Sequence, residues 1–280
     1  MKTIFLNLLL CLTFLLMNIG NASSQQNHEY VDLGLPSGTL WATCNVGANN
    51  EWENGNHYSW GETSTKRTYK SNCKYYIRKG LFIYLKKYCN DDGEGYKGYS
   101  DNYTILEKAD DAAYVNWGSN WCMPTLTQYE ELCSNCYWVW TDTIDNQGHK
   151  YIGYMVYKAL NTEDKGVKIY VGKTADAAYT ENVDHIFFPA AGLDFESSEV
   201  GYSGFYWSSS LDLDNPKCAK VLFIDSGYMS GSAYTTSSGR SHGHSVRPVR
   251  CIITFFRTEN VKPNSHCRDV ARRVPTMIIT

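Results

Sequence analysis

The sequence predicts an α+β domain in which a short strand pair is followed by two helices and then by a series of strands. Alternating apolar residues around a Pro-Ser-Gly turn predict the strand pair at 30–43. Helical periodicity between residues 106 and 136 predicts the two helices. Segments rich in β-branched and aromatic residues predict strands from residue 151 to residue 253.

Residues 1–22 have the pattern of a secretory signal peptide. Lys2 precedes an apolar run from Ile4 to Met17, and small residues follow at positions 20 and 22. No later segment reaches the roughly 18 apolar residues that a membrane-spanning helix needs. We therefore expect an exported protein at the cell surface, outside the cell or in the periplasm. It has one domain over residues 28–251 and an unassigned tail at 252–280, for which disorder is one explanation.

Two short strands open the domain. Val31, Leu33 and Leu35 alternate with other residues, so one face of the first strand is predicted to be buried. Pro36-Ser37-Gly38 supplies the turn to the second strand. Residues 64–104 are then dominated by Lys, Tyr, Asn, Asp and Gly, which predicts a long surface insertion.

The first helix is predicted between Leu106 and Trp117. Asp110 and Asp111 fall on its outer face and are expected to be exposed. Its inner face carries the apolar residues Leu106, Ala109, Ala113 and Trp117.

The second helix is predicted to follow Pro124. Thr125 and Gln128 have the spacing of a capping box, in which each side chain bonds the other residue's backbone. Cys133 and Cys136 have Cys-x-x-Cys spacing near the helix C-terminal end. Because redox-active thiols of this kind lie at a helix N-terminus, where the dipole lowers the thiol pKa, redox chemistry is disfavoured here.

Strands and turns are predicted for the rest of the chain. The segments with strand character are 151–157, 168–172, 185–189, 204–208, 219–224 and 245–253. Tyr, Ser, Gly and Asn are abundant between residues 201 and 250, and this composition on a rigid frame is typical of a recognition surface. Polar hairpin loops explain the same composition equally well.

Cysteine usage is compatible with disulfides. Of the ten cysteines, Cys11 lies in the signal-like segment, which leaves an odd number that cannot all pair within one chain. Export permits pairs such as Cys73 with Cys89 or Cys218 with Cys251. The sequence does not determine the connectivity.

Short motifs built around tryptophan, glycine and proline follow one another between residues 28 and 251. They include Tyr30-Val31-Asp32-Leu33-Gly34-Leu35-Pro36-Ser37-Gly38, Tyr58-Ser59-Trp60-Gly61-Glu62, Trp121-Cys122-Met123-Pro124-Thr125, Phe188-Pro189-Ala190-Ala191-Gly192, Tyr206-Trp207-Ser208-Ser209 and Ser245-Val246-Arg247-Pro248-Val249. This series resembles the Fibrobacter-type major paralogous domain, a large family of exported bacterial C-type lectin-like proteins.

The resemblance implies a C-type lectin-like fold, with two helices, a small twisted antiparallel sheet closed by the chain ends, and long loops on one face. It also implies a surface or pilus-associated location. Related domains are targets of diversity-generating retroelements, which rewrite a C-terminal segment between fixed framework residues. Residues 202–242 match such a segment in position and composition. The tryptophans of the motifs are expected to be buried framework residues: Trp41, Trp60, Trp117, Trp121 and Trp207.

The loops of residues 202–244 form the predicted ligand-binding surface. If framework strands end at Trp207 and begin again at Ser245, the loops between them are expected to project together on one side of the sheet. Tyr and Arg are the expected energetic anchors of such a surface. The predicted ligand-binding residues are Tyr202, Asp212, Asp214, Asn215, Tyr228, Tyr234, Arg240 and His242.

No catalytic or metal site is predicted. The Glu-Pro-Asn or Gln-Pro-Asp tripeptide of calcium-dependent animal lectins is missing, and Asp214-Asn215-Pro216 has a different order. Calcium-assisted binding through Asp212, Asp214 and Asn215 stays open beside a plain Asx turn. His242 and His244 flank a glycine, and no third metal ligand is indicated nearby.

The sequence therefore predicts an exported, non-enzymatic protein that binds a glycan or a surface protein, as an adhesin or within a pilus or other surface assembly. A formal net charge of −3 has the wrong sign for a nucleic-acid-binding protein, which presents a basic face. Two alternatives stay open. One is a cofactor-dependent oxidase of the formylglycine-generating type, for which no motif locates a copper-binding cysteine pair, and the other is a structural surface subunit.

Overall fold

A computed structural model describes residues 28–69, 73–193, 199–227 and 233–251. The signal-like segment, Tyr228 and the tail at 252–280 lie outside these residues. Within the described ranges, strands account for 35% of the residues and helices for 9%.

The described ranges contain thirteen strands and two α-helices. The strands are β1 (Tyr30–Asp32), β2 (Leu40–Ala42), β3 (Tyr76–Lys79), β4 (Phe82–Leu85), β5 (Trp121–Cys122), β6 (Cys136–Ile144), β7 (Lys150–Lys158), β8 (Lys168–Ile169), β9 (His185–Pro189), β10 (Ser203–Leu211), β11 (Cys218–Asp225), β12 (Ala233–Gly239) and β13 (Val249–Arg250). The helices are α1 (Ala112–Trp117) and α2 (Leu126–Asn135), and a 3₁₀ turn at Lys108–Asp110 precedes α1.

These strands form four sheets among the described residues. β1, β2, β13 and β5 lie side by side in that order, which brings the first and last described strands into one sheet. β8, β6, β7 and β9 form a second sheet, β10, β11 and β12 a third, and β3 with β4 a hairpin. The pairing of β6 with β8 is parallel, and the other pairings between these strands are antiparallel.

The predicted α+β, C-type lectin-like fold is wrong, because the described chain is mostly β and divided among four sheets. One reason is that the first predicted helix does not form as a single element. Asp111 interrupts it with an extended backbone, at φ −87° and ψ 114°, and acts as the N-cap of α1. Only six residues of the predicted segment are then α-helical.

The two aspartates expected on the outer face of that helix are buried instead. Asp110 is 2% exposed and Asp111 is 5% exposed. The Asp111 carboxylate accepts hydrogen bonds from the backbone N–H groups of Tyr114 and Met123, at 2.9 and 2.8 Å. These two bonds satisfy backbone donors at the start of α1 and fix the Asp111 side chain inside the cap.

The second predicted helix is confirmed as α2, with Thr125 as its N-cap. The Thr125 hydroxyl accepts a hydrogen bond from the Gln128 N–H, and the Gln128 side chain accepts one from the Thr125 N–H. With 10 residues, α2 is the longer of the described helices, and none of them combines the length and apolar character needed to cross a membrane.

The core consists of two groups of buried side chains that share the three-stranded sheet. Trp207 and Val221 belong to one group, whereas Tyr206 and Leu222 belong to the other. Neighbouring residues of a strand point to opposite faces, so β10 and β11 supply side chains to both groups. The predicted framework tryptophans are confirmed as buried: Trp41, Trp60, Trp117, Trp121 and Trp207.

Arg247 is fully buried and joins distant parts of the chain. Its Nε donates to the Asn45 side chain at 2.8 Å, and its Nη1 donates to the carbonyls of Ala42 and Thr43 at 3.0 and 2.6 Å. Its Nη2 donates to the Phe187 carbonyl of β9 at 2.6 Å. Burial lowers the pKa of this guanidinium, and the four neutral oxygens replace the water that it has lost.

Asp110 attaches the 64–104 insertion to the rest of the domain. The Nζ atoms of Lys74 and Lys87 lie 2.6 and 2.7 Å from its two carboxylate oxygens. The hydroxyls of Tyr75 and Tyr88 donate to the same carboxylate. Burial raises the pKa of Asp110, but these four donors outweigh burial and hold the pKa well below its ordinary value.

Replacing Arg247 by methionine is expected to lower the free energy of unfolding by at least about 3 kcal/mol, because buried oxygens lose their donors. Urea unfolding followed by tryptophan fluorescence measures this loss. Arg78→Met is the matched control, since Arg78 lies exposed in β3, and its effect is expected to stay within about 0.5 kcal/mol. Equal losses in the two variants would contradict a central role for Arg247.

Asp110→Asn is expected to lower the free energy of unfolding by about 2 kcal/mol at neutral pH. The folded pKa of Asp110 lies below the unfolded value of about 3.9, so its contribution is present above that pH and is lost as the pH falls through the folded pKa. Urea unfolding at pH 7 and pH 3 tests the sign. The difference between wild type and variant should shrink at pH 3, and a constant difference would refute this assignment.

Candidate functional site

Most of the described residues between 202 and 244 belong to a three-stranded sheet rather than to a set of loops on one face. β10, β11 and β12 pair antiparallel through this region, with Phe205 opposite Phe223 and Phe223 opposite Tyr234. The connections therefore leave the sheet at both ends, which are roughly 25 Å apart for a strand of nine residues. This topology contradicts the expectation that the loops project together on one side.

Tyr202 and Tyr234 lie at one end of this sheet. Tyr202 precedes β10 and is 68% exposed, and Tyr234 is the second residue of β12 and is 45% exposed. The Tyr234 ring packs against Phe223, with 5.4 Å between the ring centroids. The third predicted tyrosine, Tyr228, is outside the described residues.

Asp212, Asp214 and Asn215 lie at the opposite end, in the connection from β10 to β11. The Asp212 carboxylate accepts a hydrogen bond from the Asp214 N–H at 3.1 Å, and the Asn215 side chain accepts one from the Lys217 N–H at 3.1 Å. Both are Asx turns, which is the alternative to a calcium site that the sequence left open. Asp212 also forms an ion pair with Lys220 at 3.1 Å. In the part of the chain that the structure describes, no group of three His, Cys, Asp or Glu side chains is placed to hold a metal ion.

Arg240 is a structural residue and not an exposed anchor, which corrects the prediction. Its side chain is fully buried and stacks on Trp60, with the guanidinium carbon 4.8 Å from the ring centroid. Its Nη1 donates to the carbonyls of Tyr88 and Pro216, at 3.1 and 3.0 Å. Arg240 therefore ties the 64–104 insertion to the turn that contains Asp214.

His242 and His244 are joined through one serine hydroxyl. Ser238 Oγ lies 2.7 Å from His244 Nε2 and 3.1 Å from His242 Nδ1. His244 is fully buried and stacks on Phe205, and its burial lowers the pKa of the imidazole well below the ordinary value. His244 is therefore neutral around pH 7, and His242 is half-buried beside it.

A bulge in β10 shapes the surface next to the Asp212 turn. Trp207 pairs with Val221, but Leu211 pairs with Ala219, so β10 carries extra residues at Ser208–Ser210. These serines are buried, although their composition suggests a polar surface. Their backbone and hydroxyl groups bond two other segments: Ser209 O accepts from Leu106 N, Ser209 N donates to Pro124 O, and Ser210 Oγ accepts from Leu126 N, at 2.9, 2.7 and 3.0 Å.

The bulge, the start of α2 and the segment before α1 enclose two adjoining cavities. The first has a volume of about 410 Å³ and reaches the Asp212 turn. The second has a volume of about 540 Å³ and reaches the end of β13. They share Ile105 and Thr127, and we call the two together the α2 groove.

Aliphatic and hydroxyl groups dominate the first cavity of the α2 groove. Its walls include Ile105, which is 41% exposed, and Leu213, which is 55% exposed. The hydroxyl-bearing Thr104 and Thr127 lie beside them, and charges are present at Asp214 and at the ion pair of Asp212 with Lys220. Concave apolar surfaces with a few placed polar groups are the usual form of ligand sites.

Charged side chains of both signs also line the second cavity. They include Lys108, Glu131 and Arg250, and Tyr114 supplies an aromatic ring. Asp111 also lies in this wall, and its burial raises the pKa of the carboxyl to about 6, despite the backbone donors from Tyr114 and Met123. The cavity therefore has a carboxyl group that gains or loses a proton near neutral pH.

Cys133 and Cys136 do not form an activated thiol pair. Cys133 lies in the last turn of α2, and Cys136 is its C-cap. Burial raises the pKa of both thiols to about 12, which keeps them protonated at neutral pH.

Sequence reasoning located part of this site. Asp212 and Asp214 are among the predicted ligand-binding residues and line the α2 groove. Ile105 and Thr127 also line it but are not among the predicted residues. Ile105 lies before the first predicted helix, and Thr127 lies on the outer side of the second. In the sequence, Ile105 and Thr127 are only an apolar and a hydroxyl residue near the start of a predicted helix. Nothing in that pattern shows that the two helix starts lie next to each other in the fold.

No protein-family model, curated protein or solved structure matches this chain.

The free energy of unfolding is expected to rise by about 1 kcal/mol between pH 7 and pH 5 because of Asp111. The folded pKa of about 6 exceeds the unfolded value of about 3.9, so the contribution is present below the unfolded pKa and is lost as the pH rises through about 6. Asp111→Asn keeps an N-cap acceptor but cannot ionise. The rise should be missing in that variant, and parallel curves for the two proteins would show that Asp111 does not titrate in this range.

Proposed function

We propose that this chain is an exported, non-enzymatic binding protein that holds a segment of another surface protein in the α2 groove. The observation that carries the proposal is the pair of adjoining cavities, about 410 and 540 Å³ in volume, on either side of Ile105 and Thr127. Together they offer an elongated surface with apolar walls and polar groups at both ends. An extended peptide presents alternating side chains and backbone hydrogen-bonding groups to such a surface.

The walls of the first cavity favour a peptide over a glycan. Ile105, Leu126, Leu211 and Leu213 form its apolar surface. These aliphatic side chains suit the side chains of a peptide, and Asp214 beside them suits a basic residue of the ligand. A glycan is the competing ligand, and parallel peptide and glycan arrays distinguish the two.

Export rests on the amino-acid sequence. The signal-like pattern of residues 1–22 and the resemblance to the Fibrobacter-type major paralogous domain both support it. Acidic net charge and high tyrosine content are compatible with a binding protein outside the cell.

Leu213→Glu is expected to weaken peptide binding at least tenfold while leaving the melting temperature unchanged, because Leu213 is an exposed part of the groove wall. The probes are a tiled peptide array of surface proteins and a glycan array, with titration of the peptides that bind. Leu160→Glu is the matched control, since Leu160 is 52% exposed outside the groove.

Four results would oppose this proposal. Unchanged peptide binding by Leu213→Glu would remove the groove as the site, and equal losses in Leu160→Glu would show a non-specific effect. Binding confined to the glycan array would replace the peptide by a sugar. The double variant Tyr202→Ala with Tyr234→Ala tests the opposite end of the sheet, and a loss of binding there alone would move the site to the tyrosines.

A further inference from the structure

Two half-buried cysteines in the wall of the second cavity contact each other. Cys122 is the last residue of β5, and Cys251 directly follows β13. Val249 pairs with Cys122, and the Cys251 N–H donates to the Asn120 carbonyl at 2.9 Å. The two cysteines are thus diagonal neighbours on one face of an antiparallel pair. The Cys122 thiol donates to the Val249 carbonyl at 3.9 Å and also interacts with the Cys251 thiol.

The pairings that the sequence suggests are not favoured by this arrangement. Cys218, one expected partner of Cys251, lies in β11 opposite Gly239 and belongs to a different sheet. The Cys89 thiol, expected to pair with Cys73, donates to the Asp91 carbonyl at 3.0 Å. All eight described cysteines have free thiols in this structure.

We propose that Cys122 and Cys251 are a site of oxidative modification and form a disulfide bond across the end of β5 and β13. The proposal rests on the contact of the two thiols and on the strand register, and it is independent of the proposed function. Diagonal neighbours are about 7–8 Å apart between Cα atoms, so closing the bond draws the ends of β5 and β13 slightly together.

The oxidant is a second disulfide, either of a small thiol such as glutathione or of a thiol oxidoreductase. The Cys251 thiolate attacks this disulfide, forms a mixed disulfide and releases one thiol of the oxidant. Cys122 then loses its proton, attacks the Cys251 sulfur and releases the second thiol. The protein loses two electrons and two protons, and the oxidant gains them.

The two thiols differ in pKa, and this difference agrees with an attack by Cys251 before Cys122. The hydrogen bond between them lowers the pKa of Cys251 and raises that of Cys122. Cys251 is therefore the thiol that is more easily deprotonated, and it acts first. Lys108 and Arg250 nearby also lower the pKa of Cys251, whereas burial and Asp111 raise it.

The bond would strengthen the attachment of β13 to the sheet formed by β1, β2, β13 and β5. β13 has only two residues, and it pairs with β2 through a single residue pair. Covalent closure of the long segment between residues 122 and 251 restricts the unfolded chain most strongly, since the loop is long. The same bond fixes the wall of the second cavity, which both cysteines line.

The experiment oxidises the reduced full chain with oxidised glutathione and blocks the remaining thiols. Digestion with trypsin and a glutamate-specific protease separates Cys122 from Cys133 and Cys136, because Glu130 and Glu131 lie between them. Mass spectrometry is expected to find the Cys122 peptide linked to the Cys251 peptide. The melting temperature of the oxidised wild type is expected to exceed that of the reduced wild type by about 10 °C.

Variants give the matched comparison. Cys122→Ser and Cys251→Ser should each lose the link and the difference in melting temperature, whereas Cys133→Ser should keep both. Recovery of Cys122 and Cys251 as blocked thiols after oxidation would overturn the proposal, and so would a link from Cys251 to any other cysteine, such as Cys267. The comparison of oxidised with reduced wild type does not depend on the folding of a variant.

Discussion

Burial of the Arg247 guanidinium constrains the architecture, because a cation without water is tolerated only where several oxygens converge on it. Those oxygens come from residues 42–45, near the start of the domain, and from Phe187 of β9. β2 and β13 lie in one sheet, whereas β9 lies in another. The Arg247 side chain therefore holds the two sheets in position and links the two ends of the domain.

The three-stranded sheet of β10, β11 and β12 then divides the core and shapes the surface. Strand alternation sends Trp207 to one buried group and Tyr206 to the other. The alternation is interrupted at Ser208–Ser210, where the bulge releases backbone groups from β11. Those groups bond the segments before α1 and α2, and the α2 groove lies where the three segments meet. The candidate site is thus a consequence of one irregularity in strand pairing.

Two adjacent aspartates show how strongly the surroundings decide the chemistry of a residue. Asp110 receives two ammonium groups and two hydroxyls, which keep it ionised. Asp111 receives only backbone donors inside a buried cap, and burial raises the pKa of its carboxyl to about 6. One of them anchors an insertion through charge, and the other lines a cavity as a group that titrates near neutral pH. Burial raises the pKa of both carboxyls. The four side-chain donors of Asp110 together outweigh burial, whereas the backbone donors of Asp111 do not.

Local patterns in the sequence determined the elements that depend on nearby residues. The capping box of Thr125 and Gln128 predicted the start of α2, and the apolar and aromatic segments predicted β7, β9, β10 and β11. The tryptophan motifs predicted buried framework positions. Tertiary structure alone decided that the serines of the bulge and Arg240 are buried, that Cys251 meets Cys122, and that Ile105 and Thr127 share a groove. Each of these outcomes depends on contacts between residues that are far apart in the sequence. Strand register and the pairing of distant backbone groups set those contacts, and neighbouring residues in the sequence do not reveal them.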